Sequence, residues 1–268
     1  SDSRTRRTSS PRARGRRGCP ARVSQLCSRC GVPRFLDRGA HGWQKSAGLA
    51  LAAACMTRYE AWPICASLLV LALAVLLRRQ MAPRSAVVAV ARLASYPAIA
   101  VVLFLLNSRW TVGAWFVSSG FFVAENESLG HPFVAWDQVR EGVYRLSGPA
   151  VVWPAYAAAA LVVWTFARSR ARASLVLVLA LAAAAALPWY AYLEGHPFRI
   201  RYGVPLVVAC AAIVGTGIGL LPRRLRSIAA GLAVAGALWQ VTPLDRSAAV
   251  IAESQRDAAN QAGRRAVT

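Results

Sequence analysis

Uncharged apolar stretches of about 17 to 21 residues recur along this chain, and clusters of arginine fall in every second gap between them. An uncharged stretch of that length, wound as a helix rising about 1.5 Å per residue, covers a hydrocarbon core of about 30 Å. Lipid offers no partner to open backbone, so the architecture this pattern allows is a bundle of membrane-crossing helices. Positive charge confined to alternate gaps also sets an orientation, since Lys and Arg are retained on the cytoplasmic side.

The apolar segments are 46–57, 61–77, 86–106, 149–167, 174–193, 203–221 and 228–241. The first and last are short for a crossing unless flanking residues extend them. The expected fold is therefore all-α, a polytopic transmembrane bundle of about six to seven membrane helices. The arginine gaps are Arg78, Arg79 and Arg84, then Arg168, Arg170 and Arg172, then Arg223, Arg224 and Arg226. All three agree on one orientation, with the N-terminus in the cytoplasm and the alternate loops outside. Localisation in a bacterial inner (plasma) membrane is expected.

Composition agrees with this class, since 56% of residues are hydrophobic and the mean hydropathy is +0.41. The formal net charge of +21 invites a nucleic-acid reading, but 12 of the 32 basic residues lie in residues 1–45 and most of the others in the short gaps. Topology accounts for the latter better than a nucleic-acid footprint does, and no nucleic-acid partner is expected. Residues 1–45 are rich in Arg, Ser, Pro and Gly and cannot bury enough surface to order themselves, so they read as a disordered basic leader. Cys27 and Cys30 form a lone CxxC near Cys19 and His41. Without a second spaced pair this is no zinc signature, and neither a metal nor a cofactor is expected. The chain starts at Ser1 with no ordered signal peptide, so it reads as a fragment. Residues 242–268 read as a polar C-terminal tail.

Inside the spans, Arg92 lies about two turns from an arginine-rich end and is expected to snorkel to that interface. Pro97 is placed to kink its helix. The run Ala182 to Ala186, with Gly215, Gly217 and Gly219, offers small faces for close helix packing. Those glycines follow no strand and are not a phosphate loop.

Three polar segments fall on the side away from the arginines. In Arg58-Tyr59-Glu60 two readings stay open. One is an ion pair in an aromatic belt, the other an arginine gripping an anionic lipid headgroup with Glu60 orienting it. In His196-Pro197-Phe198-Arg199-Ile200-Arg201-Tyr202, two arginines stand where topology disfavours positive charge, immediately before the helix at 203–221. Phosphate suits them, because guanidinium offers paired donors and a helix N-terminus adds backbone N–H groups. Pairing with Glu60 or Glu194 is the structural alternative. Gly-His-Pro-Phe occurs at 130–133 and at 195–198. A simple His-Pro turn, an acid/base role for His131 or His196, and metal ligation by them all fit it. The loop 107–148 carries Glu125, Glu127, Asp137 and Glu141 beside several aromatics, and an interfacial helix is expected around Trp136 to Leu146. Asn126-Glu127-Ser128 matches an N-glycosylation acceptor pattern, which matters only in a eukaryotic secretory setting.

Met56-Thr57-Arg58-Tyr59-Glu60-Ala61-Trp62-Pro63 before an apolar span, and His196 to Tyr202 before Val204-Pro205-Leu206, resemble segments of the later half of GT-C integral membrane glycosyltransferases. The resemblance is to the branch holding protein O-mannosyltransferases and bacterial aminoarabinose transferases, and it covers roughly residues 46–241. It implies a multi-helix enzyme that moves a sugar from a polyprenyl-phosphate donor to an acceptor on the outer face. By the same resemblance Arg58, Arg199 and Arg201 contact the lipid phosphate, with Glu60, His196 and Tyr202 around them. The family's catalytic aspartate lies in a first outer loop, and residues 1–45 hold only Asp2 and Asp37 in an unrelated context, so the fragment is expected to lack its general base. The expected partners are a polyprenyl-phosphate-linked sugar and membrane lipid. A non-enzymatic polytopic protein, a transporter or a lipid-binding scaffold, is the alternative.

Overall fold

In the computed structural model, residues 41–115 and 126–241 are described, with a few positions between 248 and 258. The leader at 1–40, with its CxxC, and Glu125 lie outside the described residues. Among the described residues are eight α-helices: α1 (His41–Thr57), α2 (Ala61–Arg78), α3 (Pro83–Val112), α4 (Pro132–Ser147), α5 (Pro149–Arg168), α6 (Ala186–Leu193), α7 (Val204–Leu220) and α8 (Arg223–Val241). A 3-10 helix, Arg170–Ala185, runs straight into α6, and a 3-10 turn, Ile200–Gly203, leads into α7. No strand occurs among the described residues.

Among the described residues, five stretches are long and apolar enough to cross a membrane: α2, α3, α5, Arg170–Leu193 and Ile200–Leu220. The chain therefore has the build of an integral membrane protein, and α1 and α8 are not among those five stretches. Two boundaries differ from expectation. The first helix begins at His41, which shortens the leader by five residues. The third runs to Val112, because Asn107-Ser108-Arg109-Trp110 are polar without breaking a helix. At about 45 Å, α3 overshoots the hydrocarbon core and projects past the interface.

The second helix, α2, and the 3-10 helix run antiparallel. Ala72, Val75 and Leu76 near the end of α2 form one core with Ala173, Val176 and Leu177 at the start of the 3-10 helix. Ile64, in the first turn of α2, packs on the other core, built from Ala184, Ala185, Tyr192, Val143, Val152 and Leu206. Arg78 seals the first end: its guanidinium donates to the Phe166 (3.3 Å) and Ala167 carbonyls, capping α5 from a different helix. Arg79 reaches Ser174 Oγ at 3.4 Å on the same side. At the far end, Gln240 of α8 accepts from the Ala150 N–H at 2.6 Å.

The small-residue face is realised at Gly217, where a Cβ would stand 2.5 Å from Ala158 Cβ, so α5 and α7 meet there nearly backbone to backbone. Gly215 and Gly219 have nothing within 4 Å and take no part. Pro97 is buried inside α3, while Arg92 is exposed on it, as snorkelling requires.

The charges divide by end. Arg78, Arg79 and Arg84, the cluster at 168–172, and the cluster at 223–226 collect at one end of the bundle. Glu60, Glu127, Asp137, Glu141 and Glu194, all the acids among the described residues, collect at the other.

Candidate functional site

The acid-bearing end is built around Tyr192, which is 2% exposed. Its ring stacks at 5.8 Å from Phe198 and 6.4 Å from Tyr202, and its hydroxyl donates to the Arg199 carbonyl at 3.1 Å. One buried tyrosine therefore fixes the whole turn 194–203. The turn opens at Gly195, whose φ of +84° suits glycine alone.

A second strap closes over it. Ser128 is fully buried, with its Oγ at 2.9 Å from the Tyr192 carbonyl, and the Asn126 side-chain amide donates to the His196 carbonyl at 2.6 Å. Gly130 N–H donates to the Leu193 carbonyl at 3.0 Å. The two Gly-His-Pro-Phe copies thus lie side by side, and each glycine takes positive φ, +73° at Gly130 and +84° at Gly195. Their downstream fates differ, since Pro132 opens α4 while Pro197 continues in an extended turn. The shared tetrapeptide is a turn signal.

A helix stands where one was expected, around Trp136 to Leu146: α4. It buries Ala135, Val139, Gly142 and Val143 and exposes Phe133 and Trp136. Gly142 lets it approach the turn: a Cβ there would meet Phe198 at 3.6 Å, and a Cβ at Gly203 would lie 3.3 Å from the Gly142 carbonyl carbon. Trp189 Nε1 ties α6 to the start of α4 through the Pro132 carbonyl, at 2.9 Å. One turn before Gly142, Gln138 Oε1 is buried with no donor among the described residues.

The candidate residues fall into two groups at this end. Arg58 and Glu60 close on each other as a two-pronged pair, Nη2 to Oε1 at 2.6 Å and Nε to Oε2 at 3.1 Å. That hydrogen bond, with the charge of Glu60 behind it, raises the Arg58 pKa above its ordinary value. The Arg58 side chain is 64% exposed and that of Glu60 12%. Tyr59, Trp62 and Phe104 form an edge-to-face cluster alongside, with centroids 5.3 to 5.8 Å apart. Of the two readings of this tripeptide, the ion pair in an aromatic belt matches the geometry. His196, Arg199, Arg201 and Tyr202 form the second group. Arg201 is exposed, its guanidinium lies 5.8 Å from the Tyr202 ring, and it makes no ion pair among the described residues. The Arg145 guanidinium stands 5.9 Å from the Phe198 ring and also binds Glu141 at 2.8 Å.

The two groups share an end of the bundle, because Ile64 of α2 packs on the core containing Phe198 and Tyr202. Arg58 and Glu60 bind each other. No protein-family profile, curated protein or solved structure matches this chain. Sequence reasoning did not single out Tyr192, Ser128, Trp189 or Gly142, which position the turn. The Asn126-Glu127-Ser128 spacing carried a usable signal: Asn126 Oδ1 accepts from the Ser128 N–H at 3.2 Å, a side-chain turn that Asn-x-Ser favours.

Proposed function

We propose that this chain is part of a membrane glycosyltransferase that takes a sugar from a polyprenyl-phosphate donor and delivers it to an acceptor on the extracytoplasmic face. Arg201 is the main phosphate ligand, and Arg199, His196 and Tyr202 complete the recognition turn. The observation that carries the reading is the exposed Arg201 guanidinium, lacking an acid among the described residues and standing where the membrane disfavours positive charge. Arg201 also stands two residues before Gly203, from which α7 starts, so backbone N–H groups and the helix dipole lie close to an anion bound there. The Tyr192 and Ser128 framework holds the turn in one conformation before ligand arrives, which lowers the entropy lost on binding.

Arg58 and Glu60 have a secondary role in this scheme. Their mutual pair would have to open before Arg58 could take a phosphate, so they serve better as a brace at the mouth. In transfer chemistry the guanidinium groups offset charge on the departing phosphate, while a carboxylate deprotonates the acceptor hydroxyl. That carboxylate is left unassigned.

The test uses a photoreactive polyprenyl phosphate with membranes carrying the full chain. Arg201→Ala should cut crosslinking about tenfold, the value of one charge-assisted phosphate contact at a wet interface. Arg140→Ala, whose guanidinium already pairs with Asp137 at 3.0 Å, should leave it unchanged. Equal crosslinking in wild type and Arg201→Ala rejects the assignment. Crosslinking that depends on Arg201, with no sugar transfer from the intact parent protein, would favour a lipid-binding scaffold.

A further inference from the structure

The arginine-rich end carries a second feature that the proposed outer-face activity does not use. A recess of ≈550 Å³ opens there between the start of the 3-10 helix and the corner joining α7 to α8. Arg172 and Ser174 line one wall, Arg223 and Arg226 the other, and Leu175, Gly219, Leu220 and Leu221 form its apolar side. Arg79 reaches in from α2 to Ser174 Oγ.

Two independent observations mark this recess. The first is charge: the nine arginines of the three gaps gather at this end, whereas every acid among the described residues lies at the other. At the acid-bearing end Arg58, Arg140 and Arg145 each pair with an acid. The second is the lining, which is cationic on the rim and apolar on the side that continues into the spans. A soluble anion would need only the rim. A lipid needs both, a cationic seat for its phosphate and an apolar wall for the start of its acyl chains.

We propose that this recess binds the headgroup of an anionic phospholipid from the leaflet on the arginine-rich side. Arg172 and Arg226 supply the phosphate contacts from opposite walls. Arg226 lines the recess and is held in place by its Nε, which donates to the Leu221 carbonyl at 2.9 Å. Ser174 adds a hydroxyl, and Leu175, Leu220 and Leu221 face the glycerol and upper chain carbons. Basic seats between helix ends on the cytoplasmic side are suited to such headgroups. Bound lipid would also fasten the 3-10 helix to the α7–α8 corner.

The experiment places the purified full chain in nanodiscs of phosphatidylcholine with a minor fraction of fluorescent phosphatidylglycerol. Protein-associated phosphatidylglycerol is then measured in wild type, Arg172→Gln/Arg226→Gln and Arg84→Gln/Arg168→Gln. At about fivefold per charge near the surface, losing both recess arginines should weaken association about 30-fold. The Arg84/Arg168 pair removes the same charge outside the recess and should change it far less. Equal losses in the two double variants would overturn the proposal in favour of a diffuse field. Displacement by millimolar inorganic phosphate would overturn it in favour of a soluble anion. Native mass spectrometry of the wild-type chain guards against a variant that fails to fold: retained phosphatidylglycerol in preference to phosphatidylcholine supports the site, and no preference overturns it.

Discussion

Gly217→Ala adds one methyl group at the closest approach of α5 and α7. The new Cβ would stand 2.5 Å from Ala158 Cβ and 3.1 Å from Ala158 Cα, whereas carbon atoms settle at about 3.5 to 4.0 Å. The helices must part by about an ångström, and overpacking of this kind costs about 1–3 kcal/mol. Against this, replacing a helical glycine by alanine gains up to about 1 kcal/mol of propensity. The absolute change at Gly217 is therefore small, and the comparison with its neighbours is the informative quantity. Gly215 and Gly219 lie on the same helix with nothing within 4 Å, so alanine there collects the propensity gain without the clash. Gly217→Ala should fall below Gly215→Ala by about 1–3 kcal/mol, read from unfolding of the purified chain in mixed micelles with increasing dodecyl sulfate. Ala158→Gly should recover most of that gap, giving a coupling of about 1–2 kcal/mol in the double-mutant cycle. If Gly217→Ala tracks Gly215→Ala and no coupling appears, α5 and α7 do not meet there.

Other consequences are open to direct measurement. Cys55 and Cys65 are buried with their sulfurs 3.5 Å apart, so mild oxidation should join them within one chain while Cys210 stays reducible; Cys55→Ser should abolish the product, and a crosslink through Cys210 would contradict the packing of α1 on α2. Ser128→Ala removes one of three ties between the two straps and leaves the Tyr192 carbonyl its bond from Gly195 N–H, so the cost should be about 1 kcal/mol. Hydrogen exchange should then quicken in 126–131 and 192–196 and stay unchanged in α2 and α5; a uniform response would refute the latch. The Arg58–Glu60 pair should couple by less than about 1 kcal/mol, since Arg58 is 64% exposed. The raised Arg58 pKa keeps its contribution intact at every pH below the ordinary arginine value, so titrating Arg58 should produce no change between pH 6 and 9 in that coupling.

The spans were legible because hydropathy and arginine placement report the same physical constraint. The expected segment 61–77 is α2 (Ala61–Arg78), and 149–167 is α5 (Pro149–Arg168), each ending at the arginine that marks the interface. Ends set by neither lipid nor charge were less legible. His41 to Lys45 look like leader yet begin α1, and Asn107 to Val112 look like loop yet extend α3. The 3-10 character of Arg170–Ala185 left no mark on hydropathy. Its steeper rise of about 2.0 Å per residue lets those 16 residues cover about 32 Å, which carries Trp189, Tyr190 and Tyr192 to the far interface. At the site, the cationic turn was visible because Arg199 and Arg201 fall outside the three arginine gaps that set the expected orientation. The framework beneath it was not, because Ser128 and Tyr192 are 64 residues apart and only folding brings them together.

Cysteine labelling at two exposed positions tests the division of the bundle into a cationic end and an acid-bearing end most directly. Glu194→Cys and Arg170→Cys are placed singly in a chain freed of its other cysteines and probed on intact cells with a membrane-impermeant maleimide. The account predicts that position 194 labels at once from outside and position 170 only after the membrane is opened. Labelling of both from the same side would contradict it, and the phosphate-binding role of the 196–202 turn would fall with it.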